Sequence, residues 1–303
     1  MRDRCWIGMV GLVAVAFGCF SVMGAVPGVQ AGRGGAAATE PGEGTRSVPA
    51  TLGGTVVTQH PALFLVGDSI MNTGTGDGST GPWGWGAEIA GMFDSKKVHV
   101  YNEGHGGRSS RGYIEEGLWK QQLARMEKGD FVIVEFGHND AANSANYPDR
   151  ISGKGAGDEL SDVPAGYGAA ATGTKAVHSY GWYLKQYVKE AKEKGAVVIV
   201  CSPVPRNTWA EGKIKRGFDG YVGWAEAAAK ESGAFYIDLN KLAADRFDAL
   251  GQQKTAALFN DNQHTKKAGA KLNAEAVVEG LRGLKECGLK EDLLPVAASG
   301  AVK

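Results

Sequence analysis

The sequence predicts a doubly wound α/β fold, because short apolar segments alternate with segments of helical periodicity and with polar loops. Three of the five candidate strands are almost continuously apolar, as expected when helices cover both faces of a parallel sheet. Small, polar and glycine-rich stretches follow several of the strands. In open α/β sheets, ligands bind beyond the carboxyl ends of the strands, so these stretches form the candidate functional site.

Five strands and three helices can be placed along the chain. The candidate strands are ALFLV (62–66), KVHVY (97–101), FVIVEF (131–136), AVVIVC (196–201) and AFYIDL (234–239). The helical patterns are YGWYLKQYVKEAKEKG, YVGWAEAAAKESG and TKKAGAKLNAEAVVEGLRGL. In the first of these, apolar residues recur at helical spacing from Tyr183 to Ala191, and Gly195 ends the helix.

One long segment breaks this alternation. Residues 141–178 are rich in Gly, Ala, Asp and Ser and have no strong periodicity. A loop of that length inside a compact domain is usually functional or disordered. Because it directly follows a polar motif at the end of the third strand, we predict that it is an insertion flanking the site.

The first 31 residues have the pattern of a secretory signal peptide. A short charged start, MRDR, precedes a long apolar run, and VQA at Ala31 resembles a signal peptidase site. The pattern predicts a secreted or periplasmic protein. An uncleaved membrane anchor stays open because the apolar run is long enough to span a bilayer. Lipid anchoring at Cys19 is also open, although the bulky Phe17 fits that signal poorly.

The rest of the chain is predicted to contain one large domain between a linker and a short tail. Residues 32–55 are rich in Gly and Pro and predict a flexible linker. The domain is predicted over 56–290, and residues 291–303 are predicted to be a flexible tail. We find no internal repeat.

Composition excludes little but indicates an ordinary soluble domain. The 303 residues are 43% hydrophobic and 22% charged, with a formal net charge of zero, so nothing points to nucleic acid or an anionic membrane. Cys201 and Cys287 remain after signal cleavage, and a disulfide and two buried thiols are both open. The absence of CxxC and of zinc-like spacing predicts no metal and no cofactor. A monomer is the expectation.

Ser69, in GDSIM after the first strand, is a candidate nucleophile. A tight glycine-containing turn at a helix start would expose its hydroxyl to the dipole that favours developing negative charge. On this stretch alone, helix capping by Asp68 or Ser69 is the commoner explanation.

His264 is the candidate base among six histidines. Asp261 lies three residues before it, a spacing that lets a carboxylate hold the imidazole in the tautomer that accepts a serine proton. The alternative is that Asp261 caps the following helix and His264 is merely solvated.

Acyl transfer also needs donors for the oxyanion. NEGHGGRSS, after the second strand, can present backbone N–H groups because glycines let the chain approach a ligand closely. GHND, after the third strand, offers the side-chain amide of Asn139. A turn glycine at Gly107 and an Asx turn at Asn139 are the alternatives.

Taken in order, GDSIM, GHGGRS, GHND and DNQH resemble the four sequence blocks of the SGNH, or GDSL-type, hydrolases. Longer stretches, among them NEGHGGRSSRGYIEEGLW and LFNDNQHTKKAGA, are similar to rhamnogalacturonan acetylesterases. The resemblance covers roughly residues 60 to 285. It implies a flavodoxin-like, three-layer α/β/α sandwich with a five-stranded parallel sheet, and removal of acetyl groups from a pectic polysaccharide without a metal.

Carried over residue by residue, the resemblance implies Ser69 as nucleophile, His264 as general base and acid, and Asp261 as the residue that orients it. It implies an oxyanion hole made of the Ser69 and Gly107 backbone N–H groups and the Asn139 side chain. Gly106 is the less favoured alternative to Gly107.

Four further residues are candidates for substrate binding. They are Trp83, Trp85, Arg108 and His138, since aromatic faces pack on sugar rings and arginine pairs with uronic-acid carboxylates. Core packing, salt bridges and structural hydrogen bonds are the alternatives for these residues, and for Arg111 and Asp140.

Two rival functions stay open at this point. One is an SGNH esterase for another acyl substrate, such as acetylxylan, a lipid or a small ester. The polar, Gly-rich loops disfavour a lipid. The other is a non-catalytic carbohydrate-binding protein on the same scaffold, because fold does not fix function.

Overall fold

A computed structural model describes residues 61–141, 147–165 and 172–295. The predicted signal peptide and linker lie outside the described residues, and so does most of the predicted tail. Within the part that is described, no helix is long and apolar enough to cross a membrane.

A five-stranded parallel sheet forms the centre of the domain, as predicted. In chain order the strands are β1 (Ala62–Gly67), β2 (His99–Asn102), β3 (Phe131–Glu135), β4 (Leu160–Pro164), β5 (Thr174–His178), β6 (Val197–Cys201), β7 (Trp209–Ala210), β8 (Lys213–Ile214) and β9 (Phe235–Ile237). The central sheet has the order β2-β1-β3-β6-β9, and each neighbouring pair is parallel. Counting these five strands alone, the order is 2-1-3-4-5, which is the flavodoxin-like arrangement.

Helices cover both faces of this sheet. They are α1 (Gly86–Ile89), α2 (Ser110–Glu115), α3 (Leu118–Arg125), α4 (Tyr180–Glu193), α5 (Tyr221–Ser232), α6 (Leu239–Leu250), α7 (Gln252–Ala257) and α8 (Lys267–Gly283), with short 3₁₀ turns at Ala90–Met92, Phe218–Gly220 and Gly288–Asp292. The three helices predicted from the sequence correspond to α4, α5 and α8, so the predicted three-layer fold class is confirmed.

The alternation of side chains along β1 explains its continuous apolar sequence. Leu63 and Leu65 point into one core, with residues of α1, α6 and α8, whereas Phe64 and Val66 point into the other, with residues of α2, α4 and α5. Successive side chains of a strand point to opposite faces, so a strand buried on both sides must be apolar at every position. All six residues of β1 are buried.

The insertion at 141–178 contains structure that its sequence did not indicate. β4 and β5 pair as an antiparallel ribbon, with Leu160 opposite His178 and Pro164 opposite Thr174. Only one of the five residues of each strand is buried, which is why no alternating apolar pattern marks them.

The ends of the domain differ slightly from the prediction. The flexible tail was expected to begin at residue 291, but the backbone N–H of Asp94 donates to the Asp292 carbonyl and that of Leu294 donates to Met92. The packed chain therefore extends to residue 294. Cys201 and Cys287 are both buried and free, so the disulfide alternative is not realised.

Candidate active site

Loops from the carboxyl ends of three adjacent strands meet at one edge of the sheet. β1 lies between β2 and β3, so the stretches GDSIM, NEGHGG and GHND are neighbours in space. The loop after β2 continues alongside β1, because the N–H groups of Glu103 and His105 donate to the carbonyls of Leu65 and Gly67. This edge is where the strand order reverses, the position at which doubly wound sheets bind ligands.

Ser69 stands in a tight turn rather than at the start of a helix. The Asp68 carbonyl accepts from the N–H groups of Met71 and Asn72, and no helix follows before Gly86. The predicted helix dipole and the helix-capping alternative are therefore both wrong for this serine. Asp68 organises the turn instead, with its Oδ1 accepting from the Ile70 N–H at 2.9 Å.

Ser69, His264 and Asp261 form a continuous hydrogen-bonded chain. The Ser69 Oγ lies 2.9 Å from His264 Nε2, and His264 Nδ1 lies 2.8 Å from Asp261 Oδ2. With Nδ1 donating to the carboxylate, Nε2 is left to accept the serine proton. Ser69 lies 195 positions before His264 in the sequence, so the serine meets the Asp–His pair only in the fold.

Asp261 also shapes the turn that carries His264. Its Oδ1 accepts from the backbone N–H groups of Gln263 and His264, both at 2.7 Å. Partial burial acts to raise the pKa of Asp261, but these bonds and the one from the His264 ring outweigh it and lower the pKa. The carboxylate is thus ionised where it faces the imidazole. It does not cap α8, whose N-terminus has no side-chain cap.

Three donors are available for an oxyanion. The backbone N–H groups of Ser69 and Gly107 have no acceptor among the described residues. Gly107 has a φ of 78°, in the left-handed region that favours glycine, whereas Gly106 does not. Both Gly107 and Asn139 line the cleft above Ser69, so the structure places Gly107 rather than Gly106 in the predicted position.

The Asn139 amide is held from both ends. Its Nδ2 donates to the Arg108 carbonyl at 3.1 Å, and its Oδ1 accepts from Arg150 Nη1 at 3.4 Å. These two contacts fix which end of the amide carries the N–H groups. The Asn139 side chain also acts on Asp68, whose pKa it lowers, and its part in the oxyanion hole stays a prediction.

The GPWGWG stretch connects the serine turn to the histidine loop. Trp85 and Gly84 donate their N–H groups to the carbonyls of Ile70 and Asn72. The Trp83 N–H donates to the Thr265 carbonyl at 2.7 Å, and the Thr265 hydroxyl donates back to the Trp83 carbonyl at 2.9 Å. One short segment therefore sets the distance between Ser69 and His264.

Gly84→Ala tests this connection. A Cβ at Gly84 would lie 2.4 Å from the Asn72 carbonyl oxygen and 2.4 Å from the Met71 carbonyl carbon, both backbone atoms. We expect a loss of about 1–3 kcal/mol in the free energy of unfolding, as for other overpacked sites, together with reduced esterase activity. Gly91→Ala is the control, because nothing lies within 4 Å of its added Cβ. Urea denaturation of both variants checks the expectation, and equal stability would contradict it.

The two tryptophans proposed as sugar platforms do not face the cleft. Trp85 is 0% exposed, and its Nε1 donates to Glu135 Oε2 at 2.9 Å, so the prediction for this residue is wrong. Trp83 is 9% exposed, donates to Glu88 and packs beside Lys267. Its role is the backbone connection just described.

Arg108 and His138 are also placed differently from the prediction. The Arg108 side chain pairs with Glu116 at 2.9 Å instead of lining the cleft. The His138 side chain is 0% exposed, so only its backbone borders the cleft. Arg111 is buried and donates to the Pro148 carbonyl, and Asp140 accepts from Ser110 and Ser152. Both are structural, and they attach the insertion to the domain.

A buried group of titratable side chains lies beneath the serine turn. Burial raises the pKa of Asp68, and the neighbouring Glu135 raises it further. Burial also raises the pKa of Glu135 to about 7, against the hydrogen bonds from Trp85 and Val204. Burial lowers the pKa of His138 to about 3, so its ring is neutral. Asp68 is fully buried, and its part is to support the turn through the bond from the Ile70 N–H.

Five residues that line the cleft were not predicted as site residues: Ala141, Tyr147, Arg150, Arg206 and Gln263. Tyr147 and Arg150 come from the insertion, and Arg206 comes from the loop after β6. Arg206 could have been found from the sequence, because SPVPRN follows a strand of the same sheet. Ligands bind beyond the carboxyl ends of such strands. Nothing in the irregular sequence of the insertion distinguishes Arg150 from its neighbours.

The cleft around Ser69 has a volume of about 480 Å³, within the range of small-molecule sites. A larger surface groove, about 580 Å³, lies against α4 among exposed Lys and Glu side chains and contains no nucleophile–base pair. Among the residues that the structure describes, no group of His, Cys, Asp and Glu is arranged to hold a metal ion.

Comparisons with known proteins agree with this arrangement. A sequence model of the GDSL-like lipase/acylhydrolase family matches residues 65–272. The rhamnogalacturonan acetylesterase of Emericella nidulans is 34% identical over 220 residues, which cover 72% of this chain and 84% of that protein. The probable rhamnogalacturonan acetylesterase YesY of Bacillus subtilis is 33% identical over 75% of this chain and 94% of that protein.

Two solved structures share the fold. The Bacillus subtilis protein YxiM matches with a TM-score of 0.60 at 23% identity, over 74% of this chain and 57% of that one. Axe2, an acetylxylan esterase from Geobacillus stearothermophilus, matches with a TM-score of 0.52 at 20% identity, over 74% of this chain and 95% of that one. At these identities the likeness concerns the architecture alone.

Proposed function

The chain belongs to the GDSL-like lipase/acylhydrolase family, and we propose that it is an exported carbohydrate acetylesterase that removes O-acetyl groups from pectic rhamnogalacturonan. The single observation that carries the esterase proposal is the hydrogen-bonded chain from Ser69 through His264 to Asp261. The rhamnogalacturonan proposal rests on the names of the relatives that are 33–34% identical. Export rests on the N-terminal sequence pattern.

The proposed reaction is acyl transfer in two halves. The Ser69 hydroxyl oxygen attacks the acetyl carbonyl carbon while His264 Nε2, 2.9 Å away, takes the hydroxyl proton. The carbonyl oxygen becomes an oxyanion that accepts from Ser69, Gly107 and Asn139. The C–O bond to the sugar then breaks, and His264 gives its proton to the departing sugar oxygen.

The second half returns the enzyme to its starting state. Water attacks the acetyl group on Ser69, and His264 takes the proton of that water. Collapse of the second oxyanion releases acetate, and the proton returns from His264 to the Ser69 oxygen. Asp261 stays ionised throughout and stabilises the imidazolium that forms in each half.

The lining of the cleft supports a sugar ester over a lipid ester. Most of the residues that line it carry polar or charged side chains, and Ala141 and Tyr147 are its apolar members. A lipid chain would need a continuous apolar groove, which the described lining does not supply. A non-catalytic binding protein is disfavoured because the catalytic set is complete and hydrogen-bonded.

Acetate release tests the proposal. The purified protein is incubated with acetylated rhamnogalacturonan, acetylated homogalacturonan and acetylated xylan at equal acetyl concentration. We expect the highest kcat/KM on rhamnogalacturonan. Equal rates on all three would contradict the substrate proposal and leave the esterase proposal intact. No acetate from any of them, or from p-nitrophenyl acetate, would contradict both.

A further inference from the structure

Two arginine side chains line the cleft that holds Ser69, and neither makes or breaks a bond in the acyl transfer described above, although Arg150 contacts Asn139. Arg150 reaches it from the insertion, and Arg206 reaches it from the loop after β6. We propose that Arg150 and Arg206 form a subsite that binds the carboxylate of a uronic acid beside the acetylated position. This inference rests on the proposed function and names the residues that would select an acidic sugar.

The charges of these two arginines are not neutralised by ion pairs. Among the described residues, no carboxylate lies within 4.0 Å of either guanidinium, and no Asp or Glu lines the cleft. Most of the described arginines outside the cleft form ion pairs with a Glu or Asp. They are Arg108, Arg111, Arg125, Arg216 and Arg246. The charges of Asp219 and of the buried Asp68 act on Arg206 without forming an ion pair with it. Two cations facing one cleft favour an anionic ligand there.

The structure holds Arg206 in place without using all of its donors. Its Nε donates to Gln263 Oε1 at 3.3 Å, and its Nη2 donates to the His138 carbonyl at 3.5 Å. Both bonds are long, and Nη1 has no acceptor among the described residues. Gln263 is the neighbour of His264, so the guanidinium lies beside the catalytic histidine.

A strained loop supplies the platform beneath Arg206. The guanidinium carbon lies 4.6 Å from the centre of the Phe218 ring, and the same ring packs edge-on against His138 at 4.7 Å. Phe218 and Asp219 have φ angles of 45° and 53°, which residues other than glycine adopt rarely. Such strain is concentrated at binding sites, where surrounding contacts maintain it.

Arg150 is held in a similar way. Its guanidinium carbon lies 4.2 Å from the centre of the Tyr147 ring, and one nitrogen contacts Asn139. A planar guanidinium stacked on an aromatic ring keeps its remaining donors in a fixed orientation, which suits the two oxygens of a carboxylate.

A second cavity continues the cleft past Arg206. It has a volume of about 230 Å³, and Arg206 lines both cavities. Lys215, Arg216, Thr208 and Asp219 also line the second one, so its lining holds three cations with Arg206 and one carboxylate. The excess of cations suits a polysaccharide that carries carboxylates at intervals.

The decisive experiment compares one substrate with and without its charge. The probe is an acetylated rhamnogalacturonan oligosaccharide, used as the free acid and as its methyl ester, which keeps the acetyl groups and removes the carboxylate charge. We expect kcat/KM to be higher for the free acid, with KM for it rising as salt screens the charges. Arg206→Gln should lower kcat/KM for the free acid by about 10- to 100-fold, the usual effect of losing a hydrogen bond to a charged group.

The loss should be selective. We expect Arg206→Gln to lower kcat/KM for the methyl ester by no more than about threefold, and Arg206→Lys to recover part of the preference because it restores the charge. Because Arg150 also contacts Asn139, Arg150→Gln should lower kcat/KM for both substrates, but more for the free acid. Arg282→Gln is the matched control, since Arg282 is exposed, lies outside the cleft and has no ion pair among the described residues. Thermal unfolding of each variant establishes that it is folded.

Each alternative has its own outcome. An equal loss on the free acid, the methyl ester and p-nitrophenyl acetate would overturn the subsite and make the arginines supports of the oxyanion hole. Equal wild-type rates on the free acid and methyl ester would overturn the subsite alone. No acetate from either oligosaccharide, with p-nitrophenyl acetate still cleaved, would overturn the proposed function and the subsite with it.

Discussion

Ser69→Ala is expected to lower kcat for an acetyl ester by about 10⁴- to 10⁶-fold, the range seen when the nucleophile of a serine hydrolase is removed. The Ser69 oxygen is the only hydroxyl within hydrogen-bond distance of His264 Nε2 among the described residues, at 2.9 Å. Without it, no covalent intermediate forms, and only the oxyanion donors and substrate binding remain. The residual rate therefore measures what those groups contribute alone.

The measurement is acetate release under substrate saturation, compared with Ser79→Ala. Ser79 is an exposed serine ten residues along the chain and outside the cleft, so its variant should keep the wild-type rate. A serine-directed organophosphonate should label the wild-type protein at Ser69 and leave Ser69→Ala unlabelled. Activity of Ser69→Ala within tenfold of the wild type would show that the nucleophile has been assigned to the wrong residue.

His264→Ala is expected to reduce kcat by a similar factor, about 10⁴- to 10⁶-fold, because the serine then has no base within reach. The two residues act as one unit, so the double variant Ser69→Ala/His264→Ala should be no slower than either single variant. Losses that multiplied in the double variant would instead show that the two side chains act independently.

Two comparisons sharpen this test. His99→Ala is the control, because His99 is exposed at the start of β2 and contacts Tyr101 rather than the cleft. Asp261→Asn should have a smaller effect than His264→Ala. It keeps an oxygen for the two backbone N–H groups, but it can no longer stabilise the imidazolium by its charge. A larger effect for Asp261→Asn than for His264→Ala would contradict the assigned roles.

The sheet could be predicted from sequence because its strands are buried on both faces. Strand β3 is buried at all five positions, and its sequence FVIVE has apolar residues at four of them, which no solvent-exposed element requires. The antiparallel pair β4–β5 could not be predicted from the sequence, for the opposite reason. It is largely exposed, so no apolar pattern records its pairing.

Among the site residues, the sequence is informative where the local backbone conformation determines the residue type, and uninformative where distant packing decides what a side chain contacts. The resemblance to the family implied Gly107, and its left-handed φ of 78° explains why glycine stands at that point of the turn. Trp85 could not be assigned correctly, because the same indole suits a sugar platform or a core. Its burial against Glu135 is decided by strands distant in sequence.

The sequence by itself determined the doubly wound class, the order of the polar loops and the residue types that an acyl-transfer site needs. Local sequence patterns indicate those features, namely apolar runs, glycine-containing turns and a three-residue Asp–His spacing. The tertiary structure alone decided that Ser69 and His264 lie 2.9 Å apart, and that Arg150 and Arg206 face the same cleft. Such contacts join residues that are 195 and 56 positions apart, and distances of that kind are set by the packing of whole elements rather than by any local preference of the chain.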